Sequence, residues 1–286
     1  MKAGVILGCY LVTGACGGMG TAVCRSLANT GHQVLGLDRV LPGKSVSWQS
    51  LQADITDESS LSALAESLRA DHISLNGIIH AAGVYDLNSF AEIPEKDLLR
   101  IFDINLFGMC RVNRLFLPLL AEKSRIVIIS SELAPLRPLP FTGVYAVTKG
   151  AVEKYAYSLR MELQLLGHQV IVIRPGAVST GMLPASATRL DRFCAETRLY
   201  RCNAERFRNI VGRVEARNVP PERVAAKISR ALAVGRPRLV YSLNRSPLLL
   251  LFALLPGRAQ LGIIRFVISP GKKPGETPPD EKKALS

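Results

Sequence analysis

Two side chains near the middle of the chain have the types and spacing that proton transfer needs. Tyr145 and Lys149 stand four apart in the run VYAVTKGAVEKY, so a helix would carry both on one face. A phenol titrates near 10 and is a poor acid or base at neutral pH. A neighbouring ammonium favours the phenolate and lowers that value, which suits the interconversion of a carbonyl and an alcohol. A Y-x-x-x-K spacing recurs by chance in helices, so its meaning depends on what else the chain carries.

A glycine-rich turn supplies the context. Residues 11–20 read LVTGACGGMG: a strand is expected to end at Thr13, with Gly14, Gly18 and Gly20 following as a helix opens. Glycines there permit a tight turn and close backbone approach to a pyrophosphate, which the free N–H groups of the helix start stabilise. An acidic residue about 20 positions on completes the pattern. It is Asp38, closing the run QVLGLD. Asp38 would accept hydrogen bonds from ribose hydroxyls and repel a 2′-phosphate, whereas Arg39 beside it argues the other way. The turn residues Ala15, Cys16 and Gly17 include no base to hold such a phosphate, so NAD is favoured over NADP.

These groups need a scaffold, and the hydrophobic pattern describes one. Nearly continuous apolar runs predict strands over 9–12, 33–37, 78–80, 125–130, 170–174 and 238–241, as expected of parallel strands buried on both faces. Helical periodicity fills 18–29, 57–69, 95–120, 144–166 and 221–234, with Asp57 as a capping start. The alternation implies an α/β fold with a doubly wound, mostly parallel sheet in three αβα layers. One dinucleotide-binding catalytic domain is expected over 1–245, with an Arg-rich helical lid over 185–217. A hydrophobic extension over 246–268 reads as two short helical pieces broken at Pro256 and Gly257, and 269–286 as a disordered tail.

Composition narrows the function. With 286 residues, 48% apolar and 21% charged, the chain is neither disordered nor a disulfide-stapled mini-domain. No apolar run reaches the roughly 18 residues of a membrane span. The net charge is +13, all of it in the second half, but the arginines there have no interleaved aromatics and no nucleic-acid-binding signature, so nucleic acid is not expected as a partner. Six cysteines without a C-x-x-C pair and four histidines imply no metal site and a reducing, cytoplasmic setting. The start MKAGVILGCYLVTG resembles a signal peptide, yet it runs directly into the glycine turn, so no cleavage is expected.

Taken in order, these features resemble the short-chain dehydrogenase/reductase family over residues 9–240. Thr13, Gly14, Gly18 and Gly20 fit its T-G-x-x-x-G-x-G, Asn105 in INLFG its helix asparagine, and Ser131 in IVIISSELA its serine. Tyr145 and Lys149 fit Y-x-x-x-K, and Pro175, Gly176 and Thr180 fit P-G-x-x-x-T. The resemblance implies a Rossmann-like sheet. It implies Tyr145 as general acid/base, Ser131 on the substrate oxygen, and Lys149 lowering the tyrosine pKa and binding the nicotinamide ribose. Asn105 would hold a water linking Lys149 to solvent. It also implies cofactor contacts at Met19, Asp54, Ile55, Ala81, Ala82, Gly83 and Val178. His80-Ala81-Ala82-Gly83 replaces the family's N-N-A-G, and His80 reads as a structural turn residue. The Ser131–Tyr145 interval is one residue longer than usual, leaving Ser130 as a second candidate, and Glu132 reads as solvated at the cleft mouth.

Apolar residues expected at the cleft (Leu133, Leu136, Leu139, Phe141, Val178, Met182, Leu183) suit a lipophilic alcohol or ketone, steroid-, retinoid- or long-chain-lipid-like. The alternatives are a 3-oxoacyl-thioester reductase and a dinucleotide sensor without chemistry. Family members form homodimers or homotetramers through the helices corresponding to 95–120 and 144–166. The C-terminal extension, too short to span a bilayer, could contact its surface.

Overall fold

A computed structural model describes residues 8–180, 182–214 and 218–269, without the side chains of 182–188 and 211–214; the expected tail beyond 269 lies outside them. In chain order the elements are β1 (Cys9–Thr13), α1 (Gly18–Asn29), β2 (Gln33–Asp38), β3 (Gln49–Gln52), α2 (Glu58–Ala70), β4 (Leu75–His80), α3 (Glu95–Phe102) and α4 (Gly108–Phe116). They continue with β5 (Leu120–Ile129), α5 (Gly143–Leu163), β6 (Gln169–Pro175), α6 (Met182–Glu196), α7 (Arg201–Val214), α8 (Pro221–Ala233), β7 (Val240–Leu243), α9 (Pro247–Leu254) and α10 (Gly257–Ile268).

The strands form one seven-stranded sheet, ordered β3-β2-β1-β4-β5-β6-β7, and every pairing is parallel. Successive strand residues feed opposite layers, as the two-residue period of a strand requires. Val12, Ile79, Val127 and Ile171 pack with α1 and α8 on one face. Leu11, Leu35 and Ile78 pack with α2 and α4 on the other, where Ile126 and Val170 meet α5. Asp57 caps α2 by accepting from the Ser59 and Ser60 N–H groups, a contact worth about 1 kcal/mol.

Three expectations are corrected. Strand β3 was not expected, because QSLQ is a short polar edge strand with two exposed residues and carries no apolar run. The helix expected over 95–120 is interrupted by a π-helical turn at Asp103–Phe107 and gives way to a short 3-10 turn at Leu117–Leu119. The stretch 185–217 contains two helices rather than one, with the 197–200 connection held by the Glu92 carboxylate. That carboxylate accepts from Thr197 Oγ1 at 2.6 Å and from the N–H groups of Arg198 and Leu199 at 2.7 and 2.9 Å.

The strand order reverses between β1 and β4, and the crevice beyond their carboxyl ends is where doubly wound sheets bind ligands. Thr13 ends β1 and His80 ends β4.

Candidate active site

The glycine turn is built for close approach. Gly14 has φ +69°, and a Cβ there would lie 2.6 Å from Ala82 N. A Cβ on Gly20 would lie 2.0 Å from the Gly14 carbonyl oxygen, so both positions admit only glycine. Across the crevice Thr180 comes within contact of Gly18, 2.7 Å from where a Cβ would stand. The Ala81 N–H donates to Thr13 O at 3.2 Å and the Ala82 N–H to Thr13 Oγ1 at 3.4 Å. Asp38 at the end of β2 accepts from the Cys16 N–H at 2.9 Å, locking the turn against the carboxylate that would meet a ribose. Arg39 is exposed beside it. Asp54 accepts from both the N–H and Oγ1 of Thr56, each at 2.8 Å, and Ile55 is buried after it. Met19 packs on the core at the helix start. On the far side, Pro175 ends β6, Gly176 donates its N–H to Leu243 O at 2.8 Å, and Val178 bridges to Val219.

The second group of residues lies next to this cradle. A Cβ added at Gly83 would be 3.3 Å from Asn105 Oδ1 and 3.6 Å from Lys149 Nζ, so the 81–83 turn touches the glycine loop on one side and the Lys149 side chain on the other. Lys149 donates to Ile129 O at 3.0 Å, and its ammonium lies 5.8 Å from the centre of the Tyr145 ring. Ser131 lies close enough to the Tyr145 phenol to lower its pKa, and its Oγ accepts from the Leu133 N–H at 3.2 Å. Asn105 sits in the π turn, where the extra residue swings its amide out of the helical ladder. Its Oδ1 accepts from Val84 N–H at 2.7 Å, and its Nδ2 donates to Val84 O at 2.9 Å and Thr148 Oγ1 at 3.1 Å. Both amide protons are therefore used, and a water can meet this side chain only as a donor to Oδ1.

Burial governs the ionisation here. It pushes the Tyr145 phenol up to about 12, against the lowering effect of the Ser131 hydrogen bond. Burial outweighs the partners, and the phenol is protonated at neutral pH. Burial also pushes Lys149 down to about 8, against the pull of Glu153. Glu153 was missed in the sequence, although it stands one turn beyond Lys149; it accepts from Ser130 Oγ and Arg174 Nε at 2.8 and 2.7 Å. Ser130 is thereby turned toward Glu153, and of the pair it is Ser131 that acts on the phenol's pKa. His80 is buried against Asn113 Oδ1 at 2.7 Å, and burial pushes it down to about 4. It is a neutral structural residue.

The comparisons with known proteins agree with this arrangement. The family described as short chain dehydrogenase matches residues 9–190. The chain belongs to that family. Among curated relatives, the probable short-chain type dehydrogenase/reductase VdlC of Helicobacter pylori is 26% identical over 267 residues, covering 90% of this chain and 97% of that protein. The 3-ketodihydrosphingosine reductase of Bacteroides thetaiotaomicron is 24% identical over 229 residues, covering 79% and 84%. Among solved structures, a short-chain dehydrogenase from Streptomyces avermitilis superposes with a TM-score of 0.70 at 23% identity, covering 91% and 96%. As a short-chain dehydrogenase/reductase the chain is an oxidoreductase of alcohol and keto groups that uses a nicotinamide dinucleotide.

In this short-chain dehydrogenase one feature beside the phenol escaped the sequence and one expectation is corrected. The Tyr85 ring meets Tyr145 edge to face at 4.8 Å, and the Tyr85 carbonyl accepts from Arg189 of α6, tying that helix to the phenol's neighbour. Glu132 is not solvated but half-buried: burial raises its pKa while its Oε2 accepts the Ser246 N–H at 2.7 Å. No short motif distinguishes either residue. Phe141, two residues before α5, takes a left-handed backbone with φ 65° and centres a cluster with Phe193, Tyr200 and Phe207. A groove of about 780 Å³ runs beside it, lined by Phe90, Leu139, Phe141, Phe252, Leu261 and Ile264 among others. Of the apolar residues expected at the cleft, Leu139 and Phe141 line this groove; Leu133 and Leu136 do not, Val178 is buried, and Met182 and Leu183 lie outside the described side chains.

Proposed function

We propose that this short-chain dehydrogenase interconverts a secondary alcohol and a ketone on a lipophilic substrate, with NAD as the dinucleotide. The observation that carries the reading is the 81–83 turn, which contacts Gly14 of the dinucleotide cradle and approaches Lys149 of the proton-transfer group. Gly14, Gly18 and Thr13 would hold the pyrophosphate side of the dinucleotide, Asp38 its adenosine ribose, Asp54 and Ile55 the adenine, and Pro175–Thr180 the nicotinamide end. When bound, the dinucleotide supplies the hydride donor or acceptor. The protein's own part is the proton. Tyr145 is protonated at neutral pH and would donate to the carbonyl oxygen, with Ser131 hydrogen-bonding that oxygen and fixing the phenol's direction. Lys149, with a pKa pushed down to about 8, can give up a proton near neutral pH, which suits it to resupply the phenol.

Lipophilicity is supported by the lipid ketone named for the Bacteroides relative; the apolar groove of about 780 Å³ reaches Gly143, two residues before Tyr145, but Ser131, Tyr145 and Lys149 do not line it. A 3-oxoacyl-thioester reductase remains the competing activity. Absorbance assays with hydroxysteroids, retinol, 3-ketosphinganine and 3-oxoacyl thioesters decide between them; turnover of thioesters alone would reject the lipid reading. For NAD the support is Asp38 and the base-free turn. One observation favours NADP instead: Arg25 and Lys44 line a cavity of about 570 Å³ that begins at Cys16. Titration calorimetry with NADH and NADPH separates the two, and tighter binding of NADPH would reverse the assignment. A homo-oligomer is supported by exposed Phe107, Tyr157 and Met161 on the outer faces of the π turn and α5.

A further inference from the structure

Helix α9 reads PLLLLFAL, apolar on every face, and none of its residues is buried. A helix of that kind belongs in a protein core or in lipid, yet Leu251 and Leu254 are 64% and 81% exposed. On α10, Leu261 and Phe266 are 73% and 85% exposed. Exposure of so many large apolar side chains in one short segment marks an interaction surface.

The surface is held in place before any partner arrives. Ser246 caps α9 through the Leu249 N–H, and Gln260 spans the turn between the helices by donating to the carbonyls of Ala253 and Leu255. Asn203 of α7 donates to Ile268 O at 3.0 Å, and Glu132, adjacent to Ser131, accepts the Ser246 N–H. Within the segment itself the charge has one sign. Residues 223–269 contain no Asp or Glu, and the exposed Arg258 and Arg265 form no ion pair among the described residues.

We propose that α9 and α10 dock the protein on an anionic lipid bilayer, their exposed leucines and Phe266 entering the interface and Arg258 and Arg265 meeting phosphate headgroups. At 1.5 Å per residue the helices are about 12 and 18 Å long, too short for a hydrocarbon core of about 30 Å, and no helix among the described residues is long and apolar enough to cross a membrane. They therefore lie in the interface plane. A second copy of the chain fits this surface less well, since a two-fold contact would present arginines to arginines without a carboxylate on the patch to pair them. Leu261 and Ile264 of α10 also wall the apolar groove, so docking would bring the mouth of that groove to the lipid.

Lipid binding requires no turnover, so its failure and the failure of the catalytic reading are separate results. The full chain is floated with vesicles of phosphatidylcholine alone and with a minority of phosphatidylglycerol. Recovery with the anionic vesicles is expected to exceed that with neutral ones and to fall with salt. Arg258→Gln with Arg265→Gln should weaken only the anionic preference, by about fivefold per charge. Leu254→Asp with Phe266→Asp should weaken binding to both vesicles about a hundredfold; thermal melts confirm that these exposed substitutions leave the protein folded. Recovery equal to that without vesicles, or unchanged by the Asp pair, overturns the proposal. So does a dimer in solution that the Asp pair dissociates, which would assign the patch to a second copy.

Discussion

At the scale of single residues, the site is a balance of burial against partners. Tyr145→Phe should remove turnover while dinucleotide affinity, read by calorimetry, stays within about threefold, because the ring and its packing persist. Lys149 is costly to the fold. Its pKa falls from 10.5 unfolded to about 8 folded, so the penalty is present in full below pH 8 and fades as pH rises to 10.5. Such a shift corresponds to about 3 kcal/mol, offset by the bond to Ile129 O. Lys149→Met is therefore expected to gain about 1–2 kcal/mol in urea melts at pH 7 and to lose that gain by pH 10.5. His80 acts with the same sign at lower pH. The unfolded imidazole takes a proton below 6.5 and the folded one only near 4, so stability drains away by about 3 kcal/mol across that window. His80→Asn should abolish this part of the acid transition. The sequence made Tyr145, Lys149, Ser131 and the glycines legible because motif spacing constrains them. It was silent on Tyr85 and Glu153 and misplaced Glu132 in solvent, because the importance of all three arises only when distant segments meet.

At the scale of elements, what could be read was what hydrophobicity writes. Strands β1, β4, β5 and β6 are apolar enough to declare themselves, whereas β3 is an edge strand whose pairing is a backbone matter. The π turn has no apolar signature either, since Asp103–Phe107 continues the helical composition of its neighbours. The connection between α6 and α7 depends on one carboxylate. Burial opposes the ionisation of Glu92, but its bonds from Thr197, Leu199 and Arg198 prevail and lower its pKa. The stability it contributes is thus present at neutral pH and lost in acid, below the usual carboxylate range. Glu92→Ala should open the 197–200 connection to limited proteolysis at pH 7 and raise KM for a bulky substrate more than it lowers kcat.

At the scale of the whole molecule, the two ends of the chain divide the labour. The charge-balanced first half provides the glycine turn, and the basic second half carries α6, α7 and the exposed helices α9 and α10. Charge asymmetry was legible by counting, but its location on a preformed apolar surface was not, because composition does not say which side chains face outward. The outer faces of the π turn and α5 offer a separate contact. Met161→Glu there should shift the mass measured by light scattering toward a single chain, without changing vesicle recovery. A shift in both would mean that the two surfaces are not independent.

The π turn has a consequence for how this protein can tolerate change. Its additional residue is accommodated between α3 and α4 along one continuous rod. A π turn holds one residue more than an α turn in nearly the same rotation, so removing one position from 103–107 would restore a regular coil with α4 close to its present setting, and the loss would fall on the bonds of Asn105 to Val84 and Thr148. Single-residue deletions in this segment are thus expected to cost turnover, through Asn105, before they cost the packing of α4.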